Sequence, residues 1–251
     1  MRFLLSRRWA LFALGVVVLA YACVLLGQWQ FRRLHDTEQR NEWARVNMAS
    51  DPAPVQDVLA VGTPLPERRE WTHVRAVGHY DEGKTVTVRY QTRNGASGVD
   101  VVTPLVTADG KAVLVDRGWV PTTNTGATPA HLPTPPPGQV EVVGWARADA
   151  TGDSTQVDNH STRAIASTAI APSLGYPVYA GFVDAQTENP APTATVVRPE
   201  KPDLGNGPHL FYGIQWWFFG ALALVGFGYL AWDEWRKRGS DDESDEALTV
   251  P

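Results

Sequence analysis

Two uncharged runs constrain this chain more than anything else in it. Trp9 to Gly27 is nineteen residues without a charge, and Leu210 to Trp232 is twenty-three. At ~1.5 Å of rise per residue the first covers ~28 Å, close to the ~30 Å hydrocarbon layer of a bilayer. The second is long enough to cross with some tilt. Lipid offers no water to backbone amides, so each run must be helical. Aromatic residues sit at both ends (Trp9, Tyr21 and Trp29; Trp216, Trp217, Trp232 and Trp235), as expected of rings that settle at the interface. Arg2, Arg7 and Arg8 precede the first run, and Arg236, Lys237 and Arg238 follow the second. An even number of crossings with a basic cluster at each end puts both termini in the cytoplasm, although Arg32 and Arg33 argue weakly the other way. The expected organisation is a cytoplasmic end over 1–8, a span over 9–27, an exported domain over 28–208 and a second span over 209–232. An acidic cytoplasmic tail, solvated and disordered, completes it over 233–251.

A lipoprotein leader ending at Cys23 is the competing reading of the N-terminus. Ala20 stands where such a signal carries leucine, Tyr21 is bulky for the cleavage site, and the apolar run continues past the cysteine. A retained span with Cys23 as a small buried residue fits better.

Between the spans the hydrophobic period changes from helical to two. "KTVTVRY" puts Val86, Val88 and Tyr90 on one face and Thr85, Thr87 and Arg89 on the other. Further β-branched runs occur at 71–80, 98–106, 111–120, 139–148 and 176–186, with Asp109-Gly110 as a hairpin signal. "STRAIASTAIAPSLG" (161–175) predicts one helix, capped by Ser161 and stopped at Gly175. The first span should run on as a polar helix through "FRRLHDTEQRNEWARV". The fold class expected is an α+β membrane protein: two transmembrane helices form a hairpin stalk around an exported antiparallel sheet or small barrel that carries one helix.

Composition excludes several chemistries. The net charge of −5 gives no surface for nucleic acid. A single cysteine rules out an internal disulfide and a Cys-based zinc or redox pair. The six histidines never recur at i, i+4, so no two share a helix face as metal ligands. No serine elbow, phosphate loop or paired-carboxylate motif is present, and catalysis is not expected. In "VDRGWVP", Asp116 and Arg117 are adjacent strand residues and point apart. Arg117 therefore reads as tied to a carboxylate or loop carbonyl, with Gly118 easing a bulge and Trp119 packing.

Five stretches, taken in order, carry a resemblance: "LGQWQFRR" (26–33), "VRAVGHY" (74–80), "GVDVVTPLVTADGKAVLVDRGWVP" (98–121), "EVVGWARA" (141–148) and "HLFYGIQWWFFG" (209–220). Their order and the two-span topology resemble the surfeit-locus-one family of cytochrome c oxidase assembly proteins, in its bacterial form. The resemblance covers nearly the whole chain. It implies a non-catalytic assembly factor of the plasma membrane, assisting an aa3-type cytochrome c oxidase by handling haem a for its haem-bearing catalytic subunit. The alternative it leaves is a stably bound accessory subunit that does not touch haem. In the family, a histidine at the start of the second span is the candidate haem contact, and here that position is His209. A basic residue often found after the paired arginines is replaced by "LHDTEQR", so its role falls to His35 or Arg40, or is absent.

The residues themselves sharpen these implications. His209, after Gly207-Pro208, falls in a first helical turn, where the helix dipole disfavours a charged ring and leaves a neutral imidazole able to ligate iron. His209, Gly213, Trp216 and Gly220 lie on one helix face, and the glycines leave room for a flat partner, either a neighbouring helix or a macrocycle. Trp29 sits at similar depth on the first span. Arg32 and Arg33 suit haem propionates, or else snorkel to headgroups. Gln215 looks the other way and needs a hydrogen-bonding partner in lipid, on the other helix or on an oxidase subunit. With Gln28, Trp216 and Trp217 it makes up the expected partner-binding set.

Overall fold

The computed structural model describes residues 6–123, 129 and 131–247, with side chains described as far as Lys237. The described chain divides into two compact units: 1–39 with 205–251, and Arg40–Leu204.

In the first unit, α1 (Arg7–Ala49) and α4 (His209–Ala247) are the helices that the uncharged runs require. The run-on of the first span as a polar helix is present, since α1 continues unbroken past its apolar part. Both helices are long and apolar enough to cross a membrane. Their large side chains are mostly uncovered, Phe211 being 74% exposed with Val17, Leu19, Phe218 and Val225 also bare. That distribution suits helices solvated by lipid rather than packed in a protein core. The tail expected to be disordered instead continues α4 to Ala247, and 248–251 lie outside the described residues.

A mixed eight-stranded sheet dominates the second unit. Its strands are β1 (Ala53–Pro54), β2 (His73–Tyr80), β3 (Val86–Arg93), β4 (Ala96–Thr107), β5 (Ala112–Pro121), β6 (Gln139–Arg147), β7 (Ser161–Thr162) and β8 (Val178–Asn189). The order is β1-β2-β6-β8-β5-β4-β3-β7, and β2 also pairs with β4 through Gly78–Tyr80 and Leu105–Thr107. That last pairing closes β2, β6, β8, β5 and β4 into a ring, a small barrel in which no ring strand keeps an open edge. The sheet is not purely antiparallel as expected: β5 runs parallel to β8, β1 to β2 and β3 to β7. The β5–β8 pair is parallel because a connection of more than fifty residues, carrying β6 and β7, separates the strands in sequence.

Alternation along the ring strands fills the barrel. Val74 and Ala76, Leu105, Val113 and Val115, Val140 and Val142, and Val183 and Ala185 form one buried cluster. Val55, Val58 and Leu59, at the short helix α2 (Val55–Val58), join it. Each such side chain contributes ~1.5–3 kcal/mol through burial. A second cluster, with Val86, Val102, Leu114, Ile170 and Phe182, lies on the opposite side of the same strands.

The helix predicted over 161–175 is replaced by three pieces. Ser161–Thr162 is strand β7, α3 covers only Ser167–Ile170, and a single 3-10 turn follows at Ala171–Ser173. Ser161 is not a cap. The Thr87 amide donates to the His160 carbonyl, and Thr87 pairs with Ser161, so an existing sheet edge captures the segment before a helix can start. The Asp149 carboxylate instead serves the start of α3, accepting from the Ser167 amide and hydroxyl.

Candidate functional site at the helix pair

The two apolar helices approach closely because their facing residues are small. A Cβ on Gly27 would overlap the Trp217 indole, and one on Gly220 would lie 3.1 Å from Cβ of Cys23. Cys23, Gln30 and Ala20 are buried on α1, and Gly213 and Gly220 on α4. The face carrying His209, Gly213, Trp216 and Gly220 is thus turned to α1, as its spacing predicts. The room above Gly213 is filled by Phe31, 3.0 Å from where a Cβ would stand, and Phe31 packs on Trp217 at 4.8 Å. The neighbouring helix, rather than open space, occupies the glycine face.

His209 is held by a residue that sequence reasoning missed. Its Nδ1 lies 2.9 Å from Oε1 of Gln30. Gln30 falls in line with Cys23 and Gly27 at i, i+4 and i+7, a spacing that could have marked it as facing the second helix. With the amide oxygen as acceptor, Nδ1 carries the ring proton and Nε2 keeps a lone pair.

The other predicted residues divide between two flanks of α1. Gln28 and Arg32, with His35, Asp36, Phe31 and Trp217, line a cavity of about 600 Å³ whose walls are aromatic and whose rim is charged. Trp29 and Arg33 point elsewhere, the Arg33 guanidinium lying 5.8 Å from the Trp29 ring centroid. Gln215 is exposed on the far side of α4. The predicted set is therefore three small groups with Gln215 apart from them, not one pocket. Among the described residues no group of three or more His, Cys, Asp or Glu is placed to hold a metal ion.

Inside the barrel unit, Arg117 behaves as its motif suggests. It is the extra residue of a bulge in β5, because Gly118 opposes Val101 while Asp116 opposes Val102. Gly118 takes φ 131° there, close against Val197, a conformation open to glycine. The bulge turns the Arg117 side chain, 0% exposed, into the barrel end. There Nε donates to Glu188 at 3.0 Å and Nη1 to the Pro133 carbonyl at 2.7 Å. Tyr80 donates to the same carboxylate at 2.7 Å, and Arg198 lies 2.8 Å from its other oxygen. Burial and the Glu188 charge push the Tyr80 phenol well above its ordinary pKa, keeping it a donor. All these groups find partners within the fold, so the network reads as a structural plug.

Fold and site together define a class: a small closed β-barrel inserted between two bilayer-length helices that are joined by an imidazole–amide pair. The chain belongs to the SURF1 family, whose family model matches residues 17–221, and that family serves cytochrome oxidase assembly. It is 29% identical over 242 residues to uncharacterised SURF1-like proteins of Mycobacterium bovis and Mycobacterium tuberculosis, covering 94% of this chain and 88% of each relative.

Proposed function

We propose that this protein is a two-pass plasma-membrane assembly factor for an aa3-type cytochrome c oxidase. Both termini are cytoplasmic and the barrel unit lies outside. It acts without catalysis, holding haem a at the outer membrane face for the haem-bearing catalytic subunit. The observation that carries this reading is the His209–Gln30 hydrogen bond at 2.9 Å. With the amide oxygen accepting, Nδ1 is the donor and Nε2 is the ring nitrogen left for iron, with Gln30 in the orienting role that metal-bound histidines commonly require. Among the described residues the pair would offer a haem iron one imidazole nitrogen, that of His209. Gly213 is covered by Phe31, so the residues that would hold a haem are those on the flanks of the pair. Arg32, beside Trp217 and Phe31, offers propionates a guanidinium next to aromatic walls, and Arg33 with Trp29 offers a second such pair on the other flank. When bound, haem supplies the redox iron of the oxidase; this chain's residues bind, orient and shield it.

Purification from cells that make haem a, followed by absorbance spectroscopy of wild type and His209→Ala, tests the reading. Loss of the haem band in the variant is expected, and equal occupancy would remove His209 as ligand. A second reading, a permanent accessory subunit that does not touch haem, is favoured by Gln215, a polar side chain exposed on an otherwise apolar helix beside bare aromatics. Near-stoichiometric co-purification with mature oxidase, unaffected by His209→Ala but lost in Gln215→Leu, would support that alternative.

A further inference from the structure

Outside the helix pair, the barrel unit holds a cleft of about 460 Å³ that the assembly reading does not use. Three carboxylates line it from adjacent strands: Asp100 on β4, Asp116 on β5 and Asp184 on β8, all almost fully buried. Asp116 and Asp184 are direct register partners, at the last pair of the parallel β5–β8 ladder. Side chains of such a pair leave the sheet on the same face. Beyond this point β5 turns through its bulge at Arg117 and pairs with Val197 instead, so the two strands part.

Cations answer only two of the three acids directly. Arg93 from β3 donates to Asp100 at 3.1 Å, and Arg147 from β6 donates to Asp184 at 2.7 Å. Arg147 is shared with Glu70, which precedes β2, and stacks 3.8 Å from the Trp71 ring. Arg163, after β7, lines the cleft with its guanidinium 5.2 Å from the Tyr90 ring, and Glu200 adds a further negative charge at the rim. Asp116 is 5% exposed, and among the described residues its carboxylate meets one donor, the backbone amide of Gly118 at 2.9 Å. A buried carboxylate with no direct ion pair, beside two more, is costly to leave charged even with Arg93 near the triad.

We propose that Asp100, Asp116 and Asp184 share a bound proton at neutral pH and form a pH-responsive latch at the end of the β5–β8 seam. Taken up from solvent, the proton lets neighbouring carboxyls share a hydrogen. Its loss leaves like charges facing across the point where the strands separate. Burial pushes all three acids up, Asp100 to about 6, against the pull of Arg93 and Arg147; like charge adds to it, from Asp100 and Asp184 on Asp116, from Asp184 on Asp100 and from Glu70 on Asp184. The folded state therefore holds protons that the unfolded chain, with ordinary carboxyls near 3.9, has released. Stability from this source is complete below about pH 4 and is lost as pH rises through the folded-state value of about 6 at Asp100 and the raised values of its two neighbours.

The test uses the full-length protein in lipid nanodiscs. Thermal unfolding of wild type and Asp116→Asn is followed from about pH 5.5 to about pH 8. The wild-type midpoint should fall by several degrees across that window and the variant's by clearly less. Every titratable group other than residue 116 is common to both proteins, so the difference between the two profiles isolates the aspartate. Parallel pH profiles would overturn the latch. Should the variant not fold, the infrared difference spectrum of the wild type between the same two pH values decides. A protonated carboxylic acid band that disappears at the higher pH is expected, and its absence overturns the proposal. Hydrogen exchange supplies the local readout, with protection at Asp116–Trp119 and Asp184–Gln186 falling as pH rises, after correction for intrinsic rates. Protection that stays constant would show that no seam opens.

Discussion

His209 and Glu188 show how one partner atom decides what a side chain can do. Gln30 Oε1 engages Nδ1 of His209, so Nε2 is the ring nitrogen it leaves over. Gln30→Leu should keep the helix pair apolar but free the ring to rotate and change tautomer. We expect haem occupancy in purified protein to drop about 10–100-fold, the usual effect of losing a group that orients a metal-bound histidine. The same assay with His209→Ala sets the floor. Glu188 has the opposite character, a buried carboxylate between two guanidiniums and a phenol. Glu188→Ala leaves Arg117 charged and 0% exposed at the barrel end. It should cost about 3–5 kcal/mol in denaturant unfolding, because the remaining charge is uncompensated. A loss below about 1 kcal/mol would mean that water enters this end and solvates the guanidinium.

Helix packing and strand pairing differ in how much of each is local, and that decides what could be read in advance. Gly220→Cys tests the helix pair directly, because its Cβ would lie 3.1 Å from that of Cys23, slightly inside the usual disulfide separation of about 3.5–4.5 Å. Mild oxidation should join the two thiols within one chain, visible by mass as loss of both free cysteines. Gly27→Leu should suppress the crosslink, since its side chain would collide with Trp217. The spacing of His209, Gly213 and Gly220 was enough to find this face, because helical period is a local property. The strands were equally legible from their β-branched runs, except that a bulge after Val88 in β3 leaves Tyr90 exposed rather than on the buried face of Val86 and Val88. Closure of the ring was not, since the β2–β4 pairing joins residues about twenty-seven apart through hydrogen bonds that leave no pattern in sequence. Segment 161–175 misled for a related reason: alanine-rich propensity favours helix by tenths of a kcal/mol per residue, and two ladder bonds from β3 outweigh it. The three cleft aspartates were separated by sixteen and sixty-eight residues, and only the register β4–β5–β8 brings them together. Trp29, Arg32 and Arg33 were expected to share one site and instead lie on separate flanks, because side-chain grouping follows helix rotation relative to the partner.

At the scale of the whole molecule, the division of labour follows from where each unit keeps its core. Arg40–Leu204 contains all eight strands and every buried cluster of the barrel, and Asn41 and Arg45 of α1 both donate to the Leu204 carbonyl, tying its two ends together. Expressed alone, this segment should be soluble and β-rich by circular dichroism, with one cooperative unfolding transition. It should bind no haem, because His209 and Gln30 lie outside it. The uncovered apolar side chains of α1 and α4 belong to the other unit, and the basic clusters flanking them predict an orientation that labelling can test. With Cys23 replaced by serine, a cysteine at Asn94, exposed in the β3–β4 turn, should react with a membrane-impermeant maleimide in intact cells, and one at Ser240 should react only after lysis. The reverse pattern would place the barrel unit in the cytoplasm and remove any role at the outer face. Labelling as expected, combined with loss of the haem a absorbance band from membranes of a deletion strain, would make the two findings interdependent: a factor that reaches the oxidase only from outside, and an oxidase that lacks its haem without it.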